Sequence, residues 1–327
     1  EIRLSLVGSE MCIRDRDKKE IRENSKCCAA CVDDLMTKLM TQLQIKSVQC
    51  LSPTGLHQMA YKEWGDSNNP KTLVCVHGLS RVSDDFDILA QELANDYRVI
   101  CPDVVGRGRS GRLLDPQYYQ IPQYVSDMVT LIARLGVNEL HWLGTSLGGV
   151  IGMALASLPA NPIRKLILND IGPEMDAVAL ARIGEYVGKD VRFATFDEAW
   201  NYVRAISLSF GPHSDPQWRK MAADVMHQDA DGQWVFSYDP GIAVPFKATT
   251  VHSVQADTQR LWAAYDAINC PTLVIRGAES DLLSNQTVQA MSQRGPKAQI
   301  VELPGVGHAP TFLHADQIAV AKKFLLA

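Results

Sequence analysis

The stretch that decides the fold is ELHWLGTSLGG, residues 139–149, where an apolar run meets closely spaced glycines around Ser146. Residues 139–143 are typical of a buried strand, and residues 147–158 of a helix of small side chains that packs closely on a sheet. The glycines permit a sharp turn that pushes the serine hydroxyl into a crevice. The helix N-terminus adds N–H groups and a positive field beside it. The pattern predicts a nucleophilic serine at a strand-to-helix turn.

Strands and helices alternate on both sides of this turn. The predicted strands are residues 72–76, 97–101, 139–143, 164–168, 271–276 and 298–303, and the predicted helices are 83–95, 121–135 and 147–158. Such alternation predicts an α/β fold, with a mostly parallel, doubly wound sheet covered by helices on both faces. Residues 47–51 and 58–64 are separated by a Pro-Thr-Gly turn and predict an antiparallel hairpin at the sheet edge.

The alternation stops between about Ile171 and Ala267. This segment has helical character and contains four of the six tryptophans. An insertion at the carboxyl ends of parallel strands lies over the ligand crevice, although an ordinary accessory subdomain is the alternative. We therefore predict a helical cap, or lid, at residues 172–265, inserted into an α/β core formed by residues 40–171 and 266–327. Its aromatic residues predict an apolar roof over the site.

Residues 1–39 are predicted to be a non-native, disordered leader. Residues 1–16 show no apolar period and lead into no structural element, and they resemble a translated sequencing-library adapter. The natural start is then expected at Met36 or Met40. Segments of this kind are excluded from reasoning about the fold.

Composition limits the classes of function. The 327 residues are 46% hydrophobic and 21% charged with a net charge of −5, which excludes overall disorder and argues against a nucleic-acid partner. No apolar run reaches the roughly 20 residues of a membrane span, and no signal peptide is evident. Outside the leader the cysteines are scattered, mostly in apolar runs, which fits the reduced thiols of a cytoplasmic protein. They are Cys50, Cys75, Cys101 and Cys270.

A serine nucleophile needs a base, and the base needs an acid. His308 directly follows the last predicted strand in the glycine-rich sequence GVGHAP, so it is the expected base. Asp281, in the loop after residues 271–276, is the favoured acid, because the order Ser146, Asp281, His308 is typical of this kind of triad. Asp170, which follows the preceding strand, and Glu279 remain alternatives.

Two backbone N–H groups are expected to form an oxyanion hole. One belongs to Leu147, directly after the nucleophile, and the other to Leu79 in the sequence HGLS that follows residues 72–76. Gly78 allows the turn that directs the Leu79 N–H inward. His77 is expected to have a structural role, bonding the loop.

The sequence DVVGRGRS, residues 103–110, could be mistaken for a phosphate-binding loop. It lacks both the full G-x-G-x-x-G pattern and the Walker lysine, so it predicts a turn after a strand. Arg107, Arg109 and Arg112 are expected to be solvated or paired with acids.

These motifs together resemble the α/β-hydrolase fold family over about residues 45–327, and within it the lidded small-molecule esterases. The resemblance implies a triad of Ser146, Asp281 and His308, an oxyanion hole at Leu79 and Leu147, and no metal or cofactor. Haloalkane dehalogenases and epoxide hydrolases share this fold but have aspartate at the nucleophile position, so the serine argues against both.

The expected function is hydrolysis of a small carboxylic ester with a hydrophobic part, through an acyl-enzyme intermediate on Ser146. The same triad could serve a lactonase, a carbon–carbon bond hydrolase or an acyltransferase. A ligand receptor with slow turnover is the alternative from a different class. The sequence leaves the natural substrate and the oligomeric state open.

Overall fold

The strands follow the apolar runs of the sequence. The computed structural model describes residues 43–247 and 251–327, so the predicted leader lies outside the described residues. The strands are β1 (Leu43–Ser52), β2 (Gly55–Trp64), β3 (Thr72–Val76), β4 (Arg98–Pro102), β5 (Leu140–Thr145), β6 (Ile163–Asn169), β7 (Met226–Gln228), β8 (Trp234–Phe236), β9 (Thr272–Gly277) and β10 (Gln299–Leu303). Every residue of β3 and β9 is buried, as expected for strands covered on both faces.

Eight of these strands form one sheet in the order β1-β2-β4-β3-β5-β6-β9-β10. The strands from β4 to β10 in this order pair in parallel, whereas β2 runs antiparallel to β4. This arrangement confirms the mostly parallel sheet with a hairpin at its edge. Residues 44–327 form one compact unit.

The helices connect the parallel strands and cover the sheet. They are α1 (Asp87–Leu93), α2 (Ile121–Leu135), α3 (Leu147–Ala156), α4 (Ala177–Tyr186), α5 (Phe196–Ile206), α6 (Asp215–Val225), α7 (Ala243–Lys247), α8 (Val251–Asp266), α9 (Asn285–Gln293) and α10 (Ala315–Leu326). The predicted helix at residues 83–95 is split into a 3-10 turn, Ser83–Phe86, followed by α1. Within the described ranges, no helix combines the length and hydropathy that a bilayer crossing requires.

The residues between β6 and β9 form two structurally different parts. Helices α5 and α6 and the β7-β8 hairpin enclose a small apolar core that also includes Val82 from the segment after β3, and Trp200 and Trp234 pack against it. Helix α8 instead packs against α3, and its Tyr265 is fully buried in the main core. The structure therefore assigns α8 to the layer that covers the sheet, whereas the sequence placed it in the cap. We call residues 172–247 the insertion.

Close packing of α3 on the sheet depends on glycine. A Cβ atom added to Gly148 would lie 2.0 Å from the carbonyl oxygen of Val76 in β3, and one added to Gly144 would lie 2.2 Å from the Gly148 backbone. The indole Nε1 of Trp142 donates a hydrogen bond to the Gly148 carbonyl at 3.0 Å. Backbone atoms of the sheet and the helix are thus in direct contact at the turn between β5 and α3.

We expect Gly148→Ala to lower the free energy of unfolding by about 3 kcal/mol, near the upper end of overpacking costs, because its methyl group would collide with backbone that cannot rotate away. Urea denaturation of the purified variant measures this change. Gly78→Ala is the matched control, since its Cβ would meet no atom closer than 3.6 Å. Equal destabilisation by the two substitutions would contradict this account of the packing.

Candidate active site

Ser146 occupies the sharp turn between β5 and α3. Its backbone has φ 50° and ψ −114°, a left-handed conformation that non-glycine residues rarely adopt. Its N–H donates to the Asn169 carbonyl at 3.1 Å, which fixes the turn to the end of β6. The predicted strand-to-helix turn is therefore present, and the serine side chain lines a cavity at the carboxyl ends of the strands.

His308 lies in the loop after β10, beside Ser146. Its Nε2 is 3.1 Å from Ser146 Oγ, and its Nδ1 is 2.8 Å from Asp170 Oδ2. Because Nδ1 faces a carboxylate, it carries the proton and donates, which leaves Nε2 free to accept the serine proton. The structure thus brings together Ser146 and His308, the residues that the sequence predicts as nucleophile and base.

The carboxyl group that contacts His308 is that of Asp170, directly after β6. It is fully buried, and two further donors hold it: the backbone N–H of Gly277 at 2.8 Å from Oδ1 and the hydroxyl of Ser280 at 2.6 Å from Oδ2. Buried carboxylates require such donors. Asp170 is thus fixed in position against the imidazole.

The structure contradicts the prediction that Asp281 is the acid of the triad. Asp281 is 46% exposed and forms an ion pair with Arg182 at 2.7 Å. Within the described residues, no hydrogen bond or ion pair joins His308 to Asp281 or Glu279. The reason is strand order: β6 lies between β5 and β9, so the residue after β6 is next to the nucleophile strand. The loop after β9 contributes Ser280 instead.

Of the two predicted oxyanion donors, Leu147 directly follows the nucleophile and Leu79 lines the same cavity as Ser146. Among the hydrogen bonds of the described chain, none uses the backbone N–H of Leu79 or Leu147 as donor. The loop with Leu79 is held by His77, which is fully buried. Its Nε2 accepts from the Val104 N–H at 3.0 Å, so its Nδ1 donates to the Gly78 carbonyl at 2.7 Å. Burial lowers the pKa of His77, which favours this neutral form.

Arg107 supports the loop that carries Leu79, and the sequence predicted a different environment for it. It is only 1% exposed, and its Nε donates to the Leu79 carbonyl at 2.9 Å, while Nη1 donates to Val105 O and Tyr124 Oη. The sequence had predicted a solvated or acid-paired arginine, but Arg107 is buried, and among the described residues no ion pair includes it. Arg109 is paired as predicted, at 2.6 Å from Asp84. The glycine-rich turn around Arg107 was the only sequence signal for its role.

The insertion is hydrogen-bonded to the loop that carries His308. Ser209 Oγ donates to the His308 carbonyl at 2.8 Å, and Gly307 N–H donates to the Ser209 carbonyl at 2.7 Å. A third contact joins His213 Nε2 and Thr311 Oγ1 at 2.9 Å. The sequence contained no recognisable signal for these contacts, because residues of the insertion are far from His308 along the chain.

The cavity beside Ser146 has both apolar and charged walls. The insertion contributes apolar lining from α4, α5, α6, β8 and the 3-10 turn Leu208–Phe210, including Phe210 and Phe236, but none of the described tryptophans lines it. Four charged residues also line the cavity: Arg81, Asp85, Arg182 and Asp224. The aromatic residues of the insertion therefore supply an apolar surface that is interrupted by charge.

One group of candidate metal ligands occurs in the described ranges, formed by Cys50, His57 and Asp127 near the β1-β2 hairpin. His57 Nε2 lies 3.0 Å from Asp127 Oδ2, and Gln123 Nε2 donates to Oδ1 at 2.8 Å. Burial, together with the Asp127 charge, raises the pKa of the Cys50 thiol to about 12. The contacts of His57 and Gln123 with the buried Asp127 carboxylate account for this group without a metal ion.

Comparisons with known proteins agree with this geometry. The alpha/beta hydrolase family matches residues 73–321. The chain is 54% identical to a 3-hydroxybutyrate-oligomer hydrolase from Cupriavidus necator over 280 residues, covering 85% of this chain and 96% of the relative. It is 27% identical to the esterase YbfF from Escherichia coli, covering 77% and 90%. A crystal structure of an alpha/beta hydrolase from Novosphingobium aromaticivorans superposes with a TM-score of 0.77 at 36% identity, covering 87% and 98%.

The chain therefore belongs to the α/β hydrolase family. The fold class predicted from the sequence is confirmed by the sheet and by these neighbours. The activities of the relatives support an ester hydrolase as the class of enzyme.

We expect Asp170→Asn to reduce kcat by about 10⁴-fold, because an amide can donate to the imidazole and stabilise the wrong tautomer. Asp281→Asn is the matched control and should change kcat by less than about threefold, since it removes only a half-exposed ion pair. Steady-state hydrolysis of p-nitrophenyl acetate measures both variants, after circular dichroism has shown that they are folded. A larger loss in the Asp281 variant would restore the original assignment.

Proposed function

We propose that the chain is a serine hydrolase of carboxylic esters that works through an acyl-enzyme intermediate. The observation that carries this proposal is the continuous line from Ser146 Oγ through His308 to Asp170, with separations of 3.1 and 2.8 Å. In the first step Ser146 Oγ attacks the ester carbonyl carbon while His308 Nε2 takes the hydroxyl proton. Asp170 stabilises the imidazolium that forms, and the N–H groups of Leu79 and Leu147 bind the oxyanion.

The same groups complete acylation and then carry out deacylation. The protonated His308 gives its proton to the departing alcohol oxygen, which leaves the acyl group on Ser146. In deacylation a water molecule attacks the acyl carbon while His308 takes one of its protons, and His308 then passes that proton to Ser146 Oγ as the acyl–oxygen bond breaks and the acid leaves. Each half of the reaction returns His308 and Ser146 to their starting protonation states, so the balance requires water alone.

The substrates that we propose are short oligomers of 3-hydroxybutyrate. The support is the identity to the Cupriavidus necator enzyme, which extends over almost the whole of that relative. The cavity is also compatible with such a chain, since the oligomer alternates methyl-bearing carbons with ester groups and ends in a carboxylate. Phe210 and Phe236 supply apolar lining, and Arg81 and Arg182 supply cations.

We further propose that the insertion acts as a lid over this site. It contributes Ile183, Val203, Phe210 and Phe236 to the lining of the cavity that also holds Ser146. An apolar cover excludes water and so strengthens the hydrogen bonds that stabilise the oxyanion. The hydrogen bonds of Ser209 with the loop of His308 would keep the lid in a fixed position relative to the catalytic base.

The cytoplasm is the compartment that we propose for this reaction. All four cysteines in the described part of the chain are free thiols, and three of them are buried. Reduced thiols are the rule in the cytosol, whereas secreted domains favour disulfides.

We expect Ser146→Ala to abolish ester turnover with the fold intact, because one small side chain replaces another. The loss should reach several orders of magnitude, with a residual rate roughly 10³–10⁴-fold above water from binding and the oxyanion hole. Chromatographic detection of monomer released from the 3-hydroxybutyrate trimer measures it. Activity within tenfold of the unmodified protein would exclude the serine mechanism, and a single stoichiometric acylation of that protein would indicate a receptor instead of an enzyme.

For p-nitrophenyl esters we expect kcat/KM to rise from acetate to butyrate or hexanoate and then fall. Each methylene buried against the apolar lining contributes about 0.8 kcal/mol until the cavity is full. A series of esters with increasing acyl length, assayed at one pH and ionic strength, gives the profile. A steady decline from acetate onward would mean that the charged walls, and not Phe210 and Phe236, surround the acyl group.

A further inference from the structure

A nearly buried arginine, Arg81, has the first part of its side chain close to the nucleophile. Arg81 lies in the loop after β3, and its side chain is 12% exposed. A Cβ atom placed on Gly78 would be 3.6 Å from Arg81 Cγ and 3.7 Å from Ser146 Cβ, so the arginine stem and the serine flank the same glycine. Arg81 also lines the cavity that contains Ser146. Arg81 is therefore part of the wall that a substrate bound in this cavity would contact.

The hydrogen bonds of Arg81 use one edge of its guanidinium. Nε lies 2.9 Å from Asp85 Oδ2, Nη2 lies 2.6 Å from Asp85 Oδ1, and Nη2 also reaches the Met221 carbonyl at 3.5 Å. No hydrogen bond within the described parts of the chain uses Nη1. Asp85 thus fixes the orientation of the group and leaves two N–H donors for another acceptor.

The charges around Arg81 leave it available to an anion. Burial lowers its pKa, but the charge and hydrogen bonds of Asp85 outweigh this effect and the pKa is raised, so the guanidinium stays charged. The other carboxyl of this wall, Asp224, has its own cation, because Lys220 Nζ lies 2.7 Å from its Oδ2. Burial raises the pKa of Asp224 to about 6, which reduces its negative charge in mildly acidic solution. Arg182, which also lines the cavity, is paired with Asp281 and is 39% exposed.

We propose that Arg81 is a specificity-determining residue that binds the terminal carboxylate of the substrate. The inference rests on the proposed function and adds to it which ester bond is cleaved. In a 3-hydroxybutyrate oligomer, only an oxygen and two carbons separate the last ester carbonyl from the terminal carboxylate. A cation that flanks the nucleophile can therefore hold that carboxylate while Ser146 attacks the last ester bond. Planar guanidinium groups suit carboxylates, and a fixed donor loses little entropy on binding.

The binding mode predicts the direction of degradation. Ser146 would cleave the ester nearest the carboxylate, so that one 3-hydroxybutyrate leaves as the alcohol product and the rest of the chain is transiently attached to the serine. Water then releases the shortened oligomer, whose new carboxylate can bind Arg81 in the next cycle. The products would appear one unit at a time from the carboxyl end.

Two measurements test this proposal. The first compares kcat/KM for the 3-hydroxybutyrate dimer and for its primary amide, which lacks the negative charge. Loss of a hydrogen bond to a charged group lowers affinity about 10- to 100-fold. We therefore expect Arg81→Gln to lower kcat/KM for the acid by that factor, mainly through KM, and Arg81→Lys to retain part of the preference. Arg182→Gln tests the other cation of the cavity wall, whereas Arg192→Gln removes an exposed arginine outside the cavity and is the matched control, which should leave the ratio of acid to amide as it is.

The second measurement uses a trimer with a ¹³C-labelled carboxyl-terminal unit. We expect the first monomer released to carry the label. Because Arg81→Gln leaves Asp85 without its cation, the double variant Arg81→Gln with Asp85→Asn repeats both measurements if the single variant fails to fold. Circular dichroism and thermal unfolding identify which variants are folded.

The outcomes separate this proposal from the proposed function. If the unmodified protein cleaves acid and amide equally well, or releases unlabelled monomer first, Arg81 does not bind the carboxylate although the enzyme is still an oligomer hydrolase. The same conclusion follows if Arg182→Gln, and not Arg81→Gln, removes the preference. If the unmodified protein cleaves neither the dimer nor the trimer but hydrolyses p-nitrophenyl esters, the proposed substrate class itself is wrong.

Discussion

The backbone contact between α3 and the sheet is the constraint on which the rest of the site depends. Gly148 approaches the Val76 carbonyl so closely that no side chain fits between them, and this approach holds Ser146 in a left-handed conformation. Such strain persists only where surrounding structure over-determines it. The main-chain contact therefore fixes the serine hydroxyl, the start of α3 and the position of the next N–H group at once.

A second fixed point is the carboxylate of Asp170. Three donors from separate segments converge on it: Gly277 at the end of β9, Ser280 in the following loop, and His308 after β10. Because all three donors bond to the same carboxylate, the segments at the ends of β6, β9 and β10 are connected by hydrogen bonds in the interior. The imidazole is thus oriented by the same network that joins the sheet, so stability and orientation of the base share one cause.

Much of this arrangement could be predicted from the sequence because its signals are local. Continuous apolar runs marked the parallel strands, and Ser146 and His308 stood in glycine-rich turns directly after strands. The acid could not be chosen in this way, since Asp170 and Asp281 both follow strands that end at the same edge. Strand order decides between them, and strand order is a property of the assembled sheet. Burial of Arg107 and the packing of α8 on α3 likewise depend on tertiary contacts that no local pattern reports.

The hydrogen bonds between Ser209 and the loop of His308 limit how this family member can diverge. An insertion that contacted only the substrate could be replaced as a whole by recombination without any effect on the rest of the site. Here the exchange would also remove an acceptor for the Gly307 N–H and a donor for the His308 carbonyl. Acquiring a new substrate range by recombination would therefore require the incoming segment to rebuild these two bonds, whereas single substitutions facing the cavity carry no such requirement.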